Sequence, residues 1–226
     1  MHKIKFISIG LIILTSFAFK AIAQDELQKV QLGIKVGPNL SWIKPDAKNY
    51  SSEGSVIGFN WGFLTEFNIS TNYAINTGFN VTYNNGKLKY PYKQDTVYGI
   101  LQRKYNLQYL EIPVCIKMRT KQIGYIAYYG KIGLGISFNL RAKAKDVFNV
   151  EPEIKKNIQD EITFMRESLI VGAGIQYSLG GSTSLMLEII FNNGFSDILK
   201  GNNAIDNTIK QNAVSNYIEL NLGVIF

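Results

Sequence analysis

The feature that most constrains this chain is a regular alternation of apolar with polar or small side chains in several separate segments. In the stretch YLEIPVCIKMRT, which begins at Tyr109, apolar residues such as Ile112 and Val114 alternate with residues that include Glu111 and Lys117. A repeat of two residues is the period of a β-strand, in which successive side chains point to opposite faces. The chain is therefore predicted to form strands that have one apolar and one polar face.

The alternation recurs in eight segments, each about long enough to cross a bilayer as a tilted strand, which takes about 9 to 11 residues. The predicted strands are residues 32–42, 59–69, 73–83, 110–118, 126–138, 168–177, 185–192 and 217–226. Short turns follow the second, fourth and sixth strands, and long polar loops follow the first, third, fifth and seventh. Periplasmic turns and extracellular loops of these lengths are typical of outer-membrane proteins. We predict an all-β fold, an eight-stranded antiparallel up-and-down transmembrane β-barrel.

The first residues have the pattern of a secretory signal peptide. Lys3 and Lys5 precede an apolar run that ends at Phe19, and the small-residue frame AIA follows it. The apolar run is too short to cross a bilayer comfortably as a helix. We therefore predict a signal peptide over residues 1–23 and a barrel domain over residues 24–226. The predicted location is the outer membrane of a Gram-negative bacterium.

The volume of the side chains indicates which face of the strands points inward. A soluble eight-stranded barrel would also alternate, but it would bury its apolar face and expose its polar face. The interior of eight strands has just enough room for side chains, and an apolar face that includes Trp61, Phe63 and Phe79 would overfill it. The opposite face fits a narrow lumen because it is rich in glycine: Gly33, Gly37, Gly62, Gly78, Gly133, Gly135, Gly172, Gly174 and Gly223.

The charged residues favour the same orientation. The apolar face carries no charge in the strand centres, as expected if each lysine or arginine there costs about 2 to 4 kcal/mol at the bilayer midplane. The polar face carries four basic and four acidic residues: Lys35, Lys117, Lys131, Arg166, Glu66, Glu111, Glu188 and Glu219. Opposite charges in a confined space are expected to pair. We predict that these eight residues form a charge network in the lumen.

Two details of the strand segments lead to local predictions. Pro113 removes one hydrogen bond from the sheet, and a local β-bulge is expected to accommodate it. Aromatic residues near the strand ends are expected to form interfacial girdles. They are Trp42 and Tyr83 at the loop end and Tyr73, Tyr177 and Phe226 at the turn end.

Three segments resemble a known family. GIKVGPNLSW near the start of the predicted barrel domain, YLEIPVCIKMR in the fourth strand and GVIF at the end are similar to the outer-membrane β-barrel family that includes PorT-like proteins. The resemblance covers essentially the whole predicted barrel domain and implies the same eight-stranded fold. It implies that Phe226 is the signal read by the barrel-assembly machinery, and it suggests an association with protein secretion. No catalytic motif accompanies the match.

Composition argues against several classes of function. The full chain has a net charge of +7, and the predicted signal peptide carries three lysines and no acidic residue, so the mature chain would carry +4. This mild charge gives no reason to expect nucleic acid as a partner. His2 is the only histidine of the chain and would leave with the signal peptide. Without histidine, a Ser-His-acid or Cys-His mechanism and the usual zinc sites are excluded. We expect no enzymatic activity, no cofactor and no metal.

Three non-enzymatic roles stay open. The first is a structural or partner-binding barrel whose lumen is filled by side chains and whose long extracellular loops meet a partner. The second is a small narrow pore, although inward residues such as Tyr129, Tyr217, Met186 and Ile190 favour a closed bore. The third is a PorT-like accessory of protein secretion. An enzymatic dyad of Glu111 with Ser137 or with Glu188 is less favoured, because lumen carboxylates usually pair with lysine and arginine.

The long loops suggest two contacts outside the barrel. Ile154, Ile158 and Ile162 have helical spacing and predict a short amphipathic helix in the third long loop. The second long loop sets lysines among tyrosines, and its cations are expected either to meet the phosphates of lipopolysaccharide or only to keep the loop soluble. These residues are Lys87, Lys89, Lys93, Tyr90, Tyr92 and Tyr98.

Overall fold

The computed structural model of the protein describes residues 28–94, 97–148, 153–202, 205, 208 and 210–226. The predicted signal peptide lies outside these residues. The strands are β1 (Val30–Pro45), β2 (Ser51–Ser52), β3 (Val56–Asn68), β4 (Tyr73–Gln94), β5 (Val97–Arg119), β6 (Ile126–Phe148), β7 (Ile154–Asn157), β8 (Met165–Gly180), β9 (Thr183–Gly194) and β10 (Ala213–Ile225), and a 3-10 turn spans Gln159–Glu161. Within the described residues, no helix has the length and apolar character needed to cross a membrane.

Eight of these strands close into a barrel. The order of neighbours is β4-β3-β1-β10-β9-β8-β6-β5, and β5 also pairs with β4, so that the sheet has no open edge along these strands. Every pairing is antiparallel. The predicted eight-stranded antiparallel up-and-down barrel is confirmed. The two remaining strands lie at the extracellular end, where β2 pairs with β4 and β7 pairs with β6.

The first and last barrel strands meet along one seam. β1 pairs with β10 from Gly33 opposite Ile225 to Pro45 opposite Ala213. The seam extends past the strand end, because the amides of Leu32 and Phe226 each donate to the other residue's carbonyl oxygen, at 3.0 and 2.8 Å. Phe226 is therefore held by main-chain hydrogen bonds while its ring stays 43 % exposed.

The periplasmic turns are short, as the alternation of connection lengths predicts. The turn from β8 to β9 uses Gly180 and Gly181, whose φ angles of 101° and 59° are left-handed and favour glycine. The turn from β3 to β4 is stabilised by Ser70, whose hydroxyl oxygen accepts hydrogen bonds from the amides of Asn72 and Tyr73.

The extracellular side differs from the sequence prediction, because three strands continue far beyond the predicted ends. β4 and β5 stay paired from Tyr73 opposite Met118 out to Gln94 opposite Val97, so the predicted second long loop is mostly a β-hairpin. β6 accompanies them as far as Phe148. The outward residues of these extensions are polar, and long polar segments between apolar strands predict loops. These segments belong to strands because the extensions bury a second apolar core on their inner face.

This second core closes the outer end of the barrel, and we call it the extracellular cap. Its buried residues are Ile43, Leu88, Tyr90, Leu101, Tyr105, Leu107, Tyr109, Ala142, Ala144, Phe148, Ile158, Ile162, Ile198, Leu199 and Ala213. They come from the extended strands, from the outer ends of β1 and β10, and from the segments before β8 and after β9. In the cap the apolar side chains point inward and the polar ones outward, as in water-soluble proteins. In the membrane-spanning part the apolar side chains point outward and the polar ones inward.

A β-bulge at Leu140 marks the change between these two environments on β6. Tyr109 pairs with Asn139 but Gln108 pairs with Arg141, so Leu140 is an extra residue on β6. Before the bulge the odd-numbered residues of β6 point inward, and after it the even-numbered residues do. The shift points Ala142 into the cap and leaves Arg141 in water.

The predicted amphipathic helix is wrong. Ile154 begins strand β7, which pairs with β6, and the chain then makes only the 3-10 turn Gln159–Glu161. Ile158 and Ile162 are buried in the cap, which explains their apolar character without a helix. Pairing with the exposed edge of β6 gives the main-chain groups of this segment hydrogen-bond partners. An isolated short helix would be only marginally stable in water.

The predicted bulge at Pro113 is also wrong. In the described pairing of β5 with β4 and β6, the register is the same on both sides of Pro113. The Pro113 carbonyl instead accepts a hydrogen bond from the Thr77 hydroxyl at 2.8 Å. Opposite Pro113 lies Gly78, whose φ of 141° is open to glycine and strained for other residues. A distorted glycine on the partner strand thus replaces the expected extra residue.

Candidate functional site

The barrel wall separates an apolar outer belt from a polar lumen. On β5, Val114 and Ile116 are each 56 % exposed on the outer face, whereas Glu111 and Lys117 are each 2 % exposed inside. The outward apolar residues of β5 run from Leu110 to Met118, which is about 21 Å along the barrel axis for a strand tilted by about 40°. With the reach of the terminal side chains, this matches the apolar band of about 25 Å in outer-membrane barrels.

The first group of lumen charges lies near the periplasmic end. Lys117 Nζ lies 2.5 Å from Glu66 Oε1, and Arg119 Nη1 lies 3.8 Å from Glu66 Oε2. Asn76 donates a hydrogen bond to the same carboxylate at 3.4 Å. Lys117 also lies over the ring of Tyr129, with Nζ 4.0 Å from the ring centroid, which adds a cation–π contact.

The second group is centred on Glu188. Its Oε2 lies 2.8 Å from Lys131 Nζ, and its Oε1 lies 3.5 Å from Lys35 Nζ. Lys35 also reaches Glu219 at 3.1 Å and so bridges two carboxylates. The Tyr129 hydroxyl donates to Glu188 at 3.1 Å. The group is therefore a chain of alternating charges in which each member has at least one opposite neighbour.

The third group surrounds Glu111, closer to the cap. Arg166 Nη1 lies 3.8 Å from Glu111 Oε2, and the hydroxyl of Tyr217 and the amide of Asn192 donate to that same oxygen, each at 2.8 Å. Arg166 is fully buried and donates to the carbonyl of Ser215 at 2.7 Å. This arginine therefore ties the carboxylate to the main chain of β10.

The structure brings all eight predicted lumen residues into these three groups. The neutral side chains that connect these groups were not predicted as hydrogen-bond donors, although Tyr129 and Tyr217 were expected inside the barrel, and Arg119 was not predicted either. The donors are Asn76, Asn80, Asn192, Asn221, Tyr129 and Tyr217. The signal for them is present in the sequence, because each of these asparagines and tyrosines lies on the polar phase of its strand. An asparagine at such a position supplies an amide donor that a lumen carboxylate can use.

Glycines provide the space for the network. A Cβ built on Gly174 would lie 2.6 Å from the Tyr129 hydroxyl oxygen, and one built on Gly135 would lie 3.2 Å from the Glu111 carboxyl carbon. A Cβ on Gly172 would lie 3.3 Å from the Lys131 side chain. These three glycines lie beside the contacted side chains on neighbouring strands, Gly174 opposite Tyr129 and Gly172 opposite Lys131, so the glycine content of the inner face is a packing requirement.

The lumen is closed to small molecules. The gap left between the charged groups, lined among others by Lys35, Glu66, Glu111 and Lys131, has a volume of about 10 Å³. That is about the space of one water molecule. Above it, the apolar core of the extracellular cap fills the barrel mouth. The imagined dyad of Glu111 with Ser137 is sealed in this interior, where the Ser137 hydroxyl donates to Glu111 at 3.3 Å.

The cap contains its own buried ion cluster. Arg103 makes two parallel hydrogen bonds to Asp146, each 2.7 Å long, and its third nitrogen reaches Glu161 at 2.5 Å. Burial lowers the pKa of the Arg103 guanidinium, but the hydrogen bonds to Asp146 together with the electrostatic effects of Tyr90, Tyr105 and Asp146 outweigh it, so that the pKa is raised. The cluster joins β5, β6 and the 3-10 turn, so it fixes the segment between β7 and β8 against the barrel wall.

A family model and several solved structures match the chain. Residues 22–200 match the model of the outer membrane protein beta-barrel domain. Neisserial surface protein A is similar in structure, with a TM-score of 0.51, 14 % sequence identity and coverage of 88 % of this chain and 96 % of that one. The search of curated proteins found no match.

Two further solved structures are similar with lower scores. The outer membrane protein OprG of Pseudomonas aeruginosa has a TM-score of 0.45 and 11 % identity, covering 87 % of this chain and 95 % of that one. Ail, the attachment invasion locus protein of Yersinia pestis, has a TM-score of 0.41 and 15 % identity, covering 88 % of this chain and 100 % of that one. At these identities the likeness concerns the fold.

Proposed function

The chain belongs to the family of outer membrane protein β-barrel domains and resides in the outer membrane of Gram-negative bacteria, and from this premise we propose that it is a closed barrel that binds a partner on its extracellular side. The observation that carries the proposal is the filled lumen, in which about 10 Å³ remain between the ion-paired side chains. A barrel with this interior does not conduct, so its working surface is its outside.

Planar-bilayer recording tests this proposal. The purified protein is reconstituted into planar bilayers, and a porin in the same bilayers serves as the control for the sensitivity of the assay. We expect no steady unit conductance from this protein. A reproducible unit conductance would instead favour the narrow pore.

The partner-binding surface is the extracellular cap with its long β4–β5 hairpin. A paired hairpin over an apolar core keeps its shape without a partner, whereas a free loop would lose conformational entropy on binding. The exposed aromatic residues of the hairpin, such as Tyr98 at 64 % exposure, provide rigid contact area. Replacing residues 97–100 with a Gly-Ser segment tests this, with adhesion and envelope integrity of the cells as readouts.

The proposal includes the absence of catalysis. The carboxylates that could act as acids or bases are the lumen residues, and each is engaged by lysine or arginine in a space too small for a substrate. The protein is expected to have no hydrolytic activity on lipids or peptides. Release of fatty acid from phospholipid vesicles that contain the purified protein would contradict this expectation.

A secretion accessory of the PorT-like kind is the second candidate, supported by the resemblance of the segments GIKVGPNLSW and YLEIPVCIKMR. A deletion strain separates the two candidates. Loss of specific proteins from the culture medium, with intact adhesion, would favour the secretion accessory. In either role, Phe226 is proposed to serve as the signal for the barrel-assembly machinery, and a Phe226→Ala variant is expected to assemble less efficiently.

A further inference from the structure

A basic groove lies on the outer wall of the extension formed by β5, β6 and β7. It has a volume of about 840 Å³, and five of its lining residues are cationic. They are Arg141, Lys143, Lys145, Lys155 and Lys156. Leu140, the bulge residue at the top of the apolar belt, also lines the groove. We call this feature the basic groove.

Lysines also face each other directly across the strands at this height. Lys104 on β5 is the register partner of Lys87 on β4 and of Lys145 on β6. Lys145 is in turn the partner of Lys155 on β7. Directly opposed residues share one face of a sheet, and like charges at such positions destabilise the pairing. Four lysines in one row therefore cost stability, and a bound anion would remove that cost.

The acidic residues near the groove neutralise only part of this charge. Glu153 Oε1 lies 2.8 Å from Lys145 Nζ, and Asp146 Oδ2 lies 3.7 Å from Lys156 Nζ. The hydrogen bond from Lys145, with the nearby charges of Lys155 and Lys104, lowers the pKa of Glu153. Among the described residues, Arg141, Lys143 and Lys155 form no salt bridge, so the groove keeps an excess of positive charge.

The position of the groove indicates what kind of anion it meets. Arg141 directly follows Leu140, which is 51 % exposed on the lipid-facing side. The lysine row lies six residues beyond the row of Val81 and Leu110, which is about 15 Å further along the barrel axis. The cations thus begin where the acyl chains end and continue outward through the height of the lipid head groups.

We propose that the basic groove binds the phosphorylated head group of lipopolysaccharide, with Arg141 and Lys143 on the phosphates nearest the acyl chains and Lys145 and Lys155 on anionic groups further out. The inference rests on the outer-membrane location and extends the proposed function by naming a lipid partner and its site. The sequence offers Lys87, Lys89 and Lys93 for this contact, with solubility of the loop as the alternative, and Lys87 belongs to the lysine row. Of these, Lys89 lies 3.7 Å from Glu53, and Lys93 lies over the ring of Tyr98.

Lipopolysaccharide fits this site better than a soluble polyanion does. An apolar residue at the base of a cationic groove matches a ligand that joins an acyl chain to a phosphate. A soluble sulfated polysaccharide has no acyl chain to contact Leu140, and it could reach the lysine row equally well from the extracellular solution. Lysine and arginine near an anionic lipid surface each contribute favourably, and phosphate oxygens accept charge-assisted hydrogen bonds from them.

The test compares two double variants that lose the same charge. Lys143→Gln with Lys155→Gln removes two groove cations that have no acidic partner among the described residues. Lys29→Gln with Lys121→Gln removes two exposed cations at the periplasmic end and serves as the control. Each purified protein is titrated in detergent with lipopolysaccharide, with dephosphorylated lipopolysaccharide and with dextran sulfate, and folding is checked by heat-dependent gel mobility.

We expect the groove variant to bind lipopolysaccharide about 30-fold more weakly than the wild type, and the control to bind as the wild type does. Dephosphorylation should weaken binding to the wild type and abolish the difference between the variants. Equal affinity of the groove variant and the wild type would overturn the proposal, and so would tighter binding of dextran sulfate than of lipopolysaccharide. The conductance of the barrel does not enter this test, so the closed-lumen proposal and the lipid site can fail separately.

Discussion

Lys117 and Glu66 lie 2.5 Å apart, Nζ to Oε1, inside the barrel and with both side chains almost fully buried. Lys117 is also the direct cross-strand partner of Lys131, so two like charges face each other in the lumen. The arrangement is stable because each lysine has its own carboxylate, Glu66 for Lys117 and Glu188 for Lys131. Pairing across the lumen thus compensates repulsion along the wall.

Lys117→Met is expected to lower the free energy of unfolding by about 3 to 5 kcal/mol, because it leaves the buried Glu66 carboxylate without its nearest cation. The double variant Lys117→Met with Glu66→Leu should recover most of the loss, since an apolar pair needs no desolvation of charge. Urea unfolding in lipid vesicles, followed by tryptophan fluorescence, measures both. A double variant as unstable as the single one would contradict the assigned pairing.

Glu188→Gln is expected to destabilise the barrel more than Glu219→Gln. The first variant removes the carboxylate that Lys131 and Lys35 share, and the cost should be about 3 to 5 kcal/mol. The second leaves Lys35 paired with Glu188, and the cost should be about 1 to 3 kcal/mol. The same unfolding assay ranks them, and the opposite order would show that Glu188 is not the centre of its group.

Gly174→Ala is expected to destabilise the barrel by about 1 to 3 kcal/mol through overpacking. The new methyl group would lie 2.6 Å from the Tyr129 hydroxyl oxygen, which donates to Glu188, and equally close to the main-chain carbonyl oxygen of Leu187. Gly130→Ala is the matched control, because its methyl group would meet only the carbonyl oxygen of Gly172, at 3.8 Å. Thermal unfolding in detergent should separate the two variants. Equal melting temperatures would mean that the lumen has more room than the contacts indicate.

Arg103→Met is expected to loosen the extracellular cap while the membrane-spanning part stays intact. The change leaves Asp146 buried without its two hydrogen bonds from the guanidinium, at a cost of about 3 to 5 kcal/mol. Lys89→Met, which breaks a half-exposed pair with Glu53, should cost no more than about 1 kcal/mol. Limited proteolysis of intact cells measures the difference, with new cleavage expected between residues 153 and 165 in Arg103→Met alone.

The cap is expected to lose stability in alkali. Burial raises the pKa of Tyr50 to about 12 from its ordinary value of 10. The neutral form is therefore favoured in the folded state, and this contribution is complete below pH 10 and is lost as the pH rises from 10 to 12. Tyr50→Phe should reduce that loss without lowering stability at pH 7, because the hydroxyl has no hydrogen-bond partner among the described residues. Unfolding at pH 7 and pH 11 provides the comparison.

The membrane-spanning part of this fold could be predicted from the sequence because outward apolar residues alternate with inward polar or small residues along its whole length. From Leu110 to Met118 every outward residue of β5 is apolar, and between them lie Glu111 and Lys117, so the alternation and its inside and outside could both be assigned. The charged residues of the lumen could be predicted for the same reason. Their partners could not be predicted, since strand register and the curvature of the barrel decide which of several carboxylates a lysine reaches.

The extracellular cap could not be read in the same way, because its polarity is reversed. On β5, Tyr105 and Leu107 continue the inward phase of Glu111, but they are apolar and the outward Lys104 and Asn106 are polar. If outward residues are expected to be apolar, as in the membrane-spanning part, the strand is predicted to end at Leu110. The bulge at Leu140 hides the continuation of β6 further, since it shifts the alternation by one residue.

That single extra residue also divides the molecule into parts that can change independently. Leu140 has no partner on β5, but the pairing of β6 with β5 resumes at Arg141, and the side chains beyond the bulge follow a new phase. Residues can be added to or removed from the tips of β4, β5 and β6 without turning any lumen side chain toward the lipid. The height of the protein above the cell surface can therefore change while its anchorage in the membrane stays the same.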